Sequence, residues 1–436
     1  MKFAATVTLC CTTLFAIQLA AASDAVDYSL DAHLSLGYSD VADGSMQEIV
    51  RLTPGIHAAL SPRTRIVLEG RVRLDFADKL EPGEADVDTY SSLSRPAVAS
   101  DLGTAEIRDA YIERRLTNGV LRLGKQQIVW GKLDGLKVLD VLNPQDLREF
   151  ILEDFGESRI GLWSAYLDMT LAGWRTELAI IPDNTGHAIP VASAWFELTA
   201  PRYRYGASPG DPALPVTTHR ESISAGTSAY AFKVSRQLGS MEIGAMAYSG
   251  LDHEPLGRLV VRGGESVVER YYERREVYGL NAETALGSVA LRAEVAWQPD
   301  RVFNTRTPTS LSSVPLDLVT AGIGMDMDGP WNTFINIQYL QDNVRGAPDS
   351  LVRPSSDRIA TLFLRRSFSY DTVRLTAKYY RELDLGDAMY SLALGFAFGD
   401  STELKLAAEA FDGLASGIFG QFRDRDRITL GLTHTF

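Results

Sequence analysis

Cysteine is nearly missing from this chain. The only two, Cys10 and Cys11, sit side by side near the start. From residue 12 onward there is no thiol, which excludes a disulfide framework, a thiolate zinc site and a cysteine nucleophile. Long apolar runs are missing as well. Beyond the first twenty or so residues nothing approaches the ~20 consecutive apolar residues of a membrane helix. Basic charge is in deficit, with 43 Lys and Arg against 56 Asp and Glu, a net charge of −13. A nucleic-acid partner, which calls for a basic surface, is therefore not expected. The six histidines, His33, His57, His187, His219, His253 and His434, show no metal-ligand spacing. No G-x-S-x-G elbow or phosphate loop occurs either. No catalytic residue, metal or cofactor is expected, and the chain does not read as an enzyme.

What is present begins at the N-terminus. Lys2 precedes an apolar stretch from Ala4 to Leu19, and Ala20-Ala21-Ala22 supplies small residues for a signal peptidase. Residues 1–22 are expected to be a cleaved export signal, and 23–436 the mature domain. Loss of Lys2 takes the net charge from −13 to −14.

From Tyr28 to the last residue, segments of about ten residues alternate apolar and polar, as in strands with lipid on one side and an aqueous lumen on the other. Ile428, Leu430, Leu432, His434 and Phe436 alternate with Arg427, Thr429, Gly431 and Thr433. Ile66, Leu68, Gly70, Val72, Leu74 and Phe76 alternate with Arg65, Glu69, Arg71, Arg73 and Asp75. Short turns at 61–63, 117–119, 238–240, 286–288, 328–330 and 399–401 carry Gly, Pro, Asn or Asp. Between them lie longer polar stretches near 78–104, 131–159, 182–221, 250–270, 298–315, 341–357 and 412–426. This alternation of turn length suits periplasmic turns and extracellular loops. The fold class is an all-β, antiparallel, up-and-down transmembrane barrel of about eighteen strands, or sixteen if a weak segment such as 105–116 is not a strand. A soluble sandwich or propeller would not need such long strands. Tyr28, Tyr38, Trp174, Trp297, Trp331, Tyr339, Phe398 and Phe436 fall toward strand ends, where aromatic girdles form. Phe436 at the close of the final strand suits recognition by the barrel-assembly machinery.

One stretch breaks the pattern. Asn143 can cap a helix with Pro144 at its first position and Asp146 at its third. Leu142 and Leu147 can form a hydrophobic staple. Leu147, Phe150, Ile151 and Phe155 recur at helical spacing, so a short helix is expected over about 144–155. The surrounding run, Leu121 to Ile160, holds Gly124-Lys125-Gln126, Trp130-Gly131 and Asn143-Pro144-Gln145-Asp146. In these motifs it resembles a family of proteobacterial, porin-like outer-membrane proteins known only as a domain of unknown function. The resemblance covers about forty residues and implies a channel or export barrel without a defined substrate.

An amphipathic, charge-rich segment after a strand can fold into the lumen, the natural place for irregular backbone at membrane depth. The loop 131–159 is therefore expected to constrict the pore. Its candidate residues are Lys132, Asp134, Lys137, Asp140, Asp146, Arg148, Glu149, Glu153, Asp154, Glu157 and Arg159. A basic wall is expected opposite, formed by Arg51, Arg65, Arg71, Arg73, Arg122, Arg374, Lys378 and Arg427. Cations facing acids across a pore would orient dipolar or carboxylate-bearing solutes. The expected function is passive diffusion of small polar solutes, anionic ones in particular, through the Gram-negative outer membrane, with membrane lipid and those solutes as partners. Oligomeric state is left open. The alternative is a barrel that exports or binds a polymer or lipid, or an adhesin. In that reading the long extracellular loop 182–221, with Trp195, Phe196, Tyr203 and Tyr205, offers aromatic contacts.

Overall fold

The computed structural model describes residues 26–41, 45–133, 135–207, 214–308 and 310–436. The expected signal segment and Asp134 lie outside them. Among the described residues, eighteen strands close into one antiparallel barrel. In chain order they are β1 (Val26–Tyr38), β2 (Ser45–Ser61), β3 (Thr64–Asp75), β4 (Gly103–Leu116), β5 (Gly119–Gln126) and β6 (Leu162–Leu171). Next come β7 (Trp174–Ile181), β8 (Ala229–Leu238), β9 (Met241–Leu251), β10 (Arg274–Leu286), β11 (Val289–Thr307) and β12 (Ser310–Gly329). The last six are β13 (Thr333–Val344), β14 (Ser356–Phe368), β15 (Val373–Glu382), β16 (Ala388–Phe398), β17 (Thr402–Asp412) and β18 (Arg427–Thr435). Each strand pairs with its sequence neighbours, and β18 closes on β1 from Asp31↔Thr435 to Tyr38↔Ile428. The amide of Phe436 adds a hydrogen bond to the Leu30 carbonyl at 3.0 Å.

The two faces of the wall are inverted relative to a soluble protein. Leu392 and Ile323 are more than half exposed on the outside, while Arg71 and Glu294 are buried inside. A period of two puts every other side chain against lipid, so apolar residues face out and polar residues face in. Of the eight girdle aromatics, seven are exposed and Tyr339 is half-buried, in mid-strand.

One expectation needs correction. The segment 298–315 is not a loop: β11 and β12 run on through it as a long hairpin, paired as far as Thr307↔Ser310. The weak segment 105–116 is a full strand, as the count of eighteen requires. Above the barrel a small sheet forms, with Leu256–Arg262 antiparallel to Glu265–Tyr271 and Val216–Thr218 parallel to the latter.

The orientation of the wall can be tested on adjacent residues. Leu392→Arg, near the middle of β16 on the lipid side, should cost ~2–4 kcal/mol. Ser391→Arg, beside Glu409 on the inside, should cost little. Denaturant titration of the protein in lipid vesicles reads the difference, and equal losses would contradict the assignment of faces.

Candidate functional site: a loop packed inside the barrel

Residues 127–161, between β5 and β6, lie inside the barrel, held by two unlike faces. The first face is apolar. Ile128, Trp130, Leu133, Leu136, Val138, Leu139 and Leu142 are buried in one cluster with Tyr166, Ala179, Ala231, Met246, Val277 and Leu340 of the wall. The wall makes room with glycine. A Cβ on Gly279 would sit 2.3 Å from Leu139, and one on Gly322 would sit 2.5 Å from Leu133. Polar anchors bracket the cluster. Glu294 of β11 accepts the amides of Lys132 and Leu139, the latter at 3.2 Å. Lys233 of β8 donates to the Trp130 carbonyl at 3.0 Å. Lys132 reaches Glu242 at 3.0 Å and Glu283 at 2.9 Å.

The second face is ionic and meets β2–β4 and β18. Arg73 binds Asp146 at 3.0 Å and Glu153 at 2.8 Å. Arg51 reaches Glu153 at 3.1 Å and Glu157 at 3.4 Å. Arg71 holds Glu106 at 2.6 Å and donates to the Glu157 carbonyl at 3.0 Å. Arg427 bridges Glu149 at 3.3 Å and Glu409 at 3.1 Å. Within the loop region, Arg148 grips Asp146 at 2.5 Å and also pairs with Glu81. Arg159 and Lys137 share Asp140, at 2.6 and 3.1 Å. Arg51, Arg71, Arg73 and Arg427 of the expected wall are thus in direct contact with the loop rather than across a gap from it.

The helix expected over 144–155 does not form. Its amides are used elsewhere: Asp146 bonds the Ser158 carbonyl at 2.6 Å, and Leu147 the Ala188 carbonyl at 2.8 Å. Asn143 does not cap. Its side chain accepts the Ile128 amide at 2.8 Å and donates to the Ile160 carbonyl at 2.8 Å, closing the base of the loop. Phe150 adopts a left-handed φ of 54°. The only α-helix among the described residues is the four-residue turn Phe155–Ser158. Tertiary hydrogen bonds and buried ion pairs override the local helical signals.

Not every expected residue joins the site. Arg65 and Arg122 share Glu113 on the wall, away from the loop. Arg374 lies 3.8 Å from Glu403, and Asp154 is exposed, 3.5 Å from Lys378. Several participants escape sequence reasoning. Arg108 pairs with Glu157 at 3.3 Å because a bulge near Glu69 and Gly70 shifts its phase. Glu294 alternates onto the polar face of its strand, but nothing local marks its loop partners, and Glu81 carries no local signal.

A second inserted loop, 182–228, stacks above the first. Trp195 and Phe196 are buried with Phe150, Met389, Phe411, Phe419 and Phe422, so they offer no exposed sugar platform. Tyr205 is buried against Val268 and Leu311. His253 ties the loops together, its ring nitrogens 3.2 Å from the Thr185 carbonyl and 3.1 Å from the Leu142 carbonyl. Burial, with Arg275 adding to it, pushes this histidine down to about 4. The ring is therefore neutral at pH 7 and donates only one of those two contacts.

Removing one partner of a buried ion pair leaves a charge uncompensated, at ~3–5 kcal/mol. Arg73→Ala should loosen the 145–158 segment, read as faster hydrogen exchange at the Asp146 and Leu147 amides. Exchange in the neighbouring β3 ladder should stay slow. Unchanged exchange at both amides would contradict the proposed clamp.

Comparison with known proteins follows the same lines. No curated protein matches this sequence. Among solved structures, Acinetobacter baumannii OccAB1 shares 8% identity over 94% of this chain and 96% of that chain, with a TM-score of 0.50. Pseudomonas aeruginosa OccD3 (OpdP) shares 9% over 95% and 91%, with a TM-score of 0.49. Salmonella typhi OmpF, in a complex with daunomycin, shares 10% over 94% and 97%, with a TM-score of 0.43. The first of these supports the fold, a barrel of the Gram-negative outer-membrane type, and nothing finer. The profile described as "Protein of unknown function (DUF1302)" matches residues 77–347, well beyond the forty residues that carry the sequence resemblance and across both inserted loops. The chain belongs to that family.

Proposed function

We propose that this protein is a passive outer-membrane channel for small polar solutes, with a preference for anions, narrowed by the 131–159 loop. The observation that carries this reading is the placement of the loop. It covers the inner wall from β6 to β13 by apolar contact and β2–β4 and β18 by ion pairs, and leaves a cavity between its residues 151–155 and the lower part of β13–β15. Most of the described constriction residues fix the loop through those contacts, and Glu153 and Asp154 also line the cavity. Of the basic wall, Lys378 lines that cavity and Arg374 lies lower on the same strand; their contacts to Asp154 and Glu403 are long, at 3.5 and 3.8 Å, and exposed to the lumen. Incompletely paired cations in a lumen favour anions. The burial of Trp195 and Phe196 argues for transport over surface adhesion.

Liposome swelling with pentoses and hexoses, together with planar-bilayer conductance, tests the reading. The wild-type protein should pass small sugars slowly and give an anion-selective reversal potential in a salt gradient. Replacing 132–158 with a short Gly-Ser linker should raise single-channel conductance several-fold, and Arg73→Ala should add current fluctuations. A barrel silent in both assays would contradict the channel, and a clear cation preference would contradict the anion assignment.

A further inference from the structure

Two cavities lie on the same sector of wall, on opposite sides of the loop. The upper one, of about 310 Å³, is lined by Leu147, Tyr203, Phe303, Leu340 and Ile359, with Arg202, Arg301 and Arg353. The lower one, of about 370 Å³, is lined by Ile151, Phe155, Phe334, Phe363 and Tyr380, with the cations Arg365 and Lys378 and the carboxylates Glu153 and Asp154. Strands β13 and β14 run past both. On the loop side, Leu147 lines the upper cavity and Ile151 the lower.

The lining is unusual for a water-filled barrel, whose interior is ordinarily polar. Phe334 and Phe363 point inward, 6.0 Å apart at 70°, and both are only half-buried. Neither belongs to a packed apolar cluster. Water gains nothing from such rings, whereas an apolar solute does. The charges of the two cavities also differ. In the upper cavity each arginine is neutralised: Arg202 by Asp357 at 2.6 Å, Arg301 by Asp252 at 2.8 Å, Arg353 by Asp342 at 2.9 Å. In the lower cavity Arg365 stacks at 5.2 Å over the Phe334 ring, and no carboxylate among the described residues pairs with it. Lys378 meets the exposed Asp154 at 3.5 Å, and the other lining carboxylate, Glu153, is already neutralised by Arg51 and Arg73, which leaves Arg365 as the cation in excess. Aromatic walls with an unpaired guanidinium fit a flat apolar body carrying one negative group, and the volume falls within the ~300–1,000 Å³ typical of ligand pockets.

We infer that the lower cavity is a binding station for amphipathic organic anions, aromatic or alicyclic carboxylates of one or two rings, on a route along β13–β15. This rests on the channel reading and names its solute class. Phe334, Phe363 and Tyr380 take the ring system, and Arg365 with Lys378 takes the carboxylate.

The test uses the full mature chain in lipid nanodiscs and planar bilayers, with 1-naphthoate, acetate and 1-naphthalenemethanol as probes. In calorimetric titration, corrected against empty nanodiscs, 1-naphthoate should bind at least roughly tenfold tighter than either control. Arg365→Gln and Phe363→Ala should each weaken it by about tenfold, and Arg365→Lys by less. Heat-modifiable migration on gels verifies that each variant is folded. In bilayers 1-naphthoate should block salt current at concentrations where acetate does not. Equal binding of all three probes, or folded Arg365→Gln and Phe363→Ala variants with wild-type affinity, would overturn this inference and leave the channel standing. Absence of salt and sugar flux with 1-naphthoate still bound would overturn the channel and keep the site.

Discussion

A backbone that crosses lipid has no water to satisfy its N–H and C=O groups, so each must find a partner within the chain. That constraint shapes the rest of this molecule. It requires a closed sheet, which the register between Asp31 and Tyr38 of β1 and their β18 partners completes. Closure with a period of two then sorts side chains by face and leaves an interior lined by Arg, Glu and Asn. A wide barrel so lined would be an open hole. The chain fills most of it with its own loops.

The inserted loop solves two problems with two kinds of contact. Apolar burial against the β6–β11 wall supplies most of the attraction, and the glycines at 279 and 322 let leucines lie against the backbone. Ion pairs against β2–β4 and β18 fix the register. Buried pairs of this kind are poor sources of net stability but costly to break. They hold the acidic segment in one position rather than simply in place. Between residues 151–155 of the loop and the lower part of β13–β15 a cavity remains.

The barrel was legible in the sequence because its signal repeats. Alternation in the final strand and in 66–76, with short turns between long loops, carries the strand count. Phase errors stay local, as at the bulge near Glu69 that brings Arg108 inward. The 298–315 hairpin was misread because its polar, Pro-containing residues suit a strand standing above the membrane as well as a loop. The loop's charged residues were legible as lumen candidates, but their partners were not. Glu81 and Glu294 lie 67 and 155 residues from Arg148 and Leu139, so nothing local marks the contacts. The helix failed for the opposite reason. Asn143, Pro144 and Asp146 are strong local signals, yet each is used in a tertiary bond that no helix would permit. Phe334 and Phe363 carry no distinguishing motif in the sequence, and only the closed barrel turns them into a lumen wall.

The account's central claim is that the loop divides the lumen and leaves passage on one side only. Site-directed thiol labelling tests it directly, since a chain begun at residue 23 contains no cysteine. A water-soluble methanethiosulfonate should reduce single-channel current through Lys378→Cys, at the remaining cavity. It should leave Ala231→Cys, buried beneath the loop, unmodified. Rapid modification of Ala231→Cys with no effect at Lys378→Cys would contradict the claim.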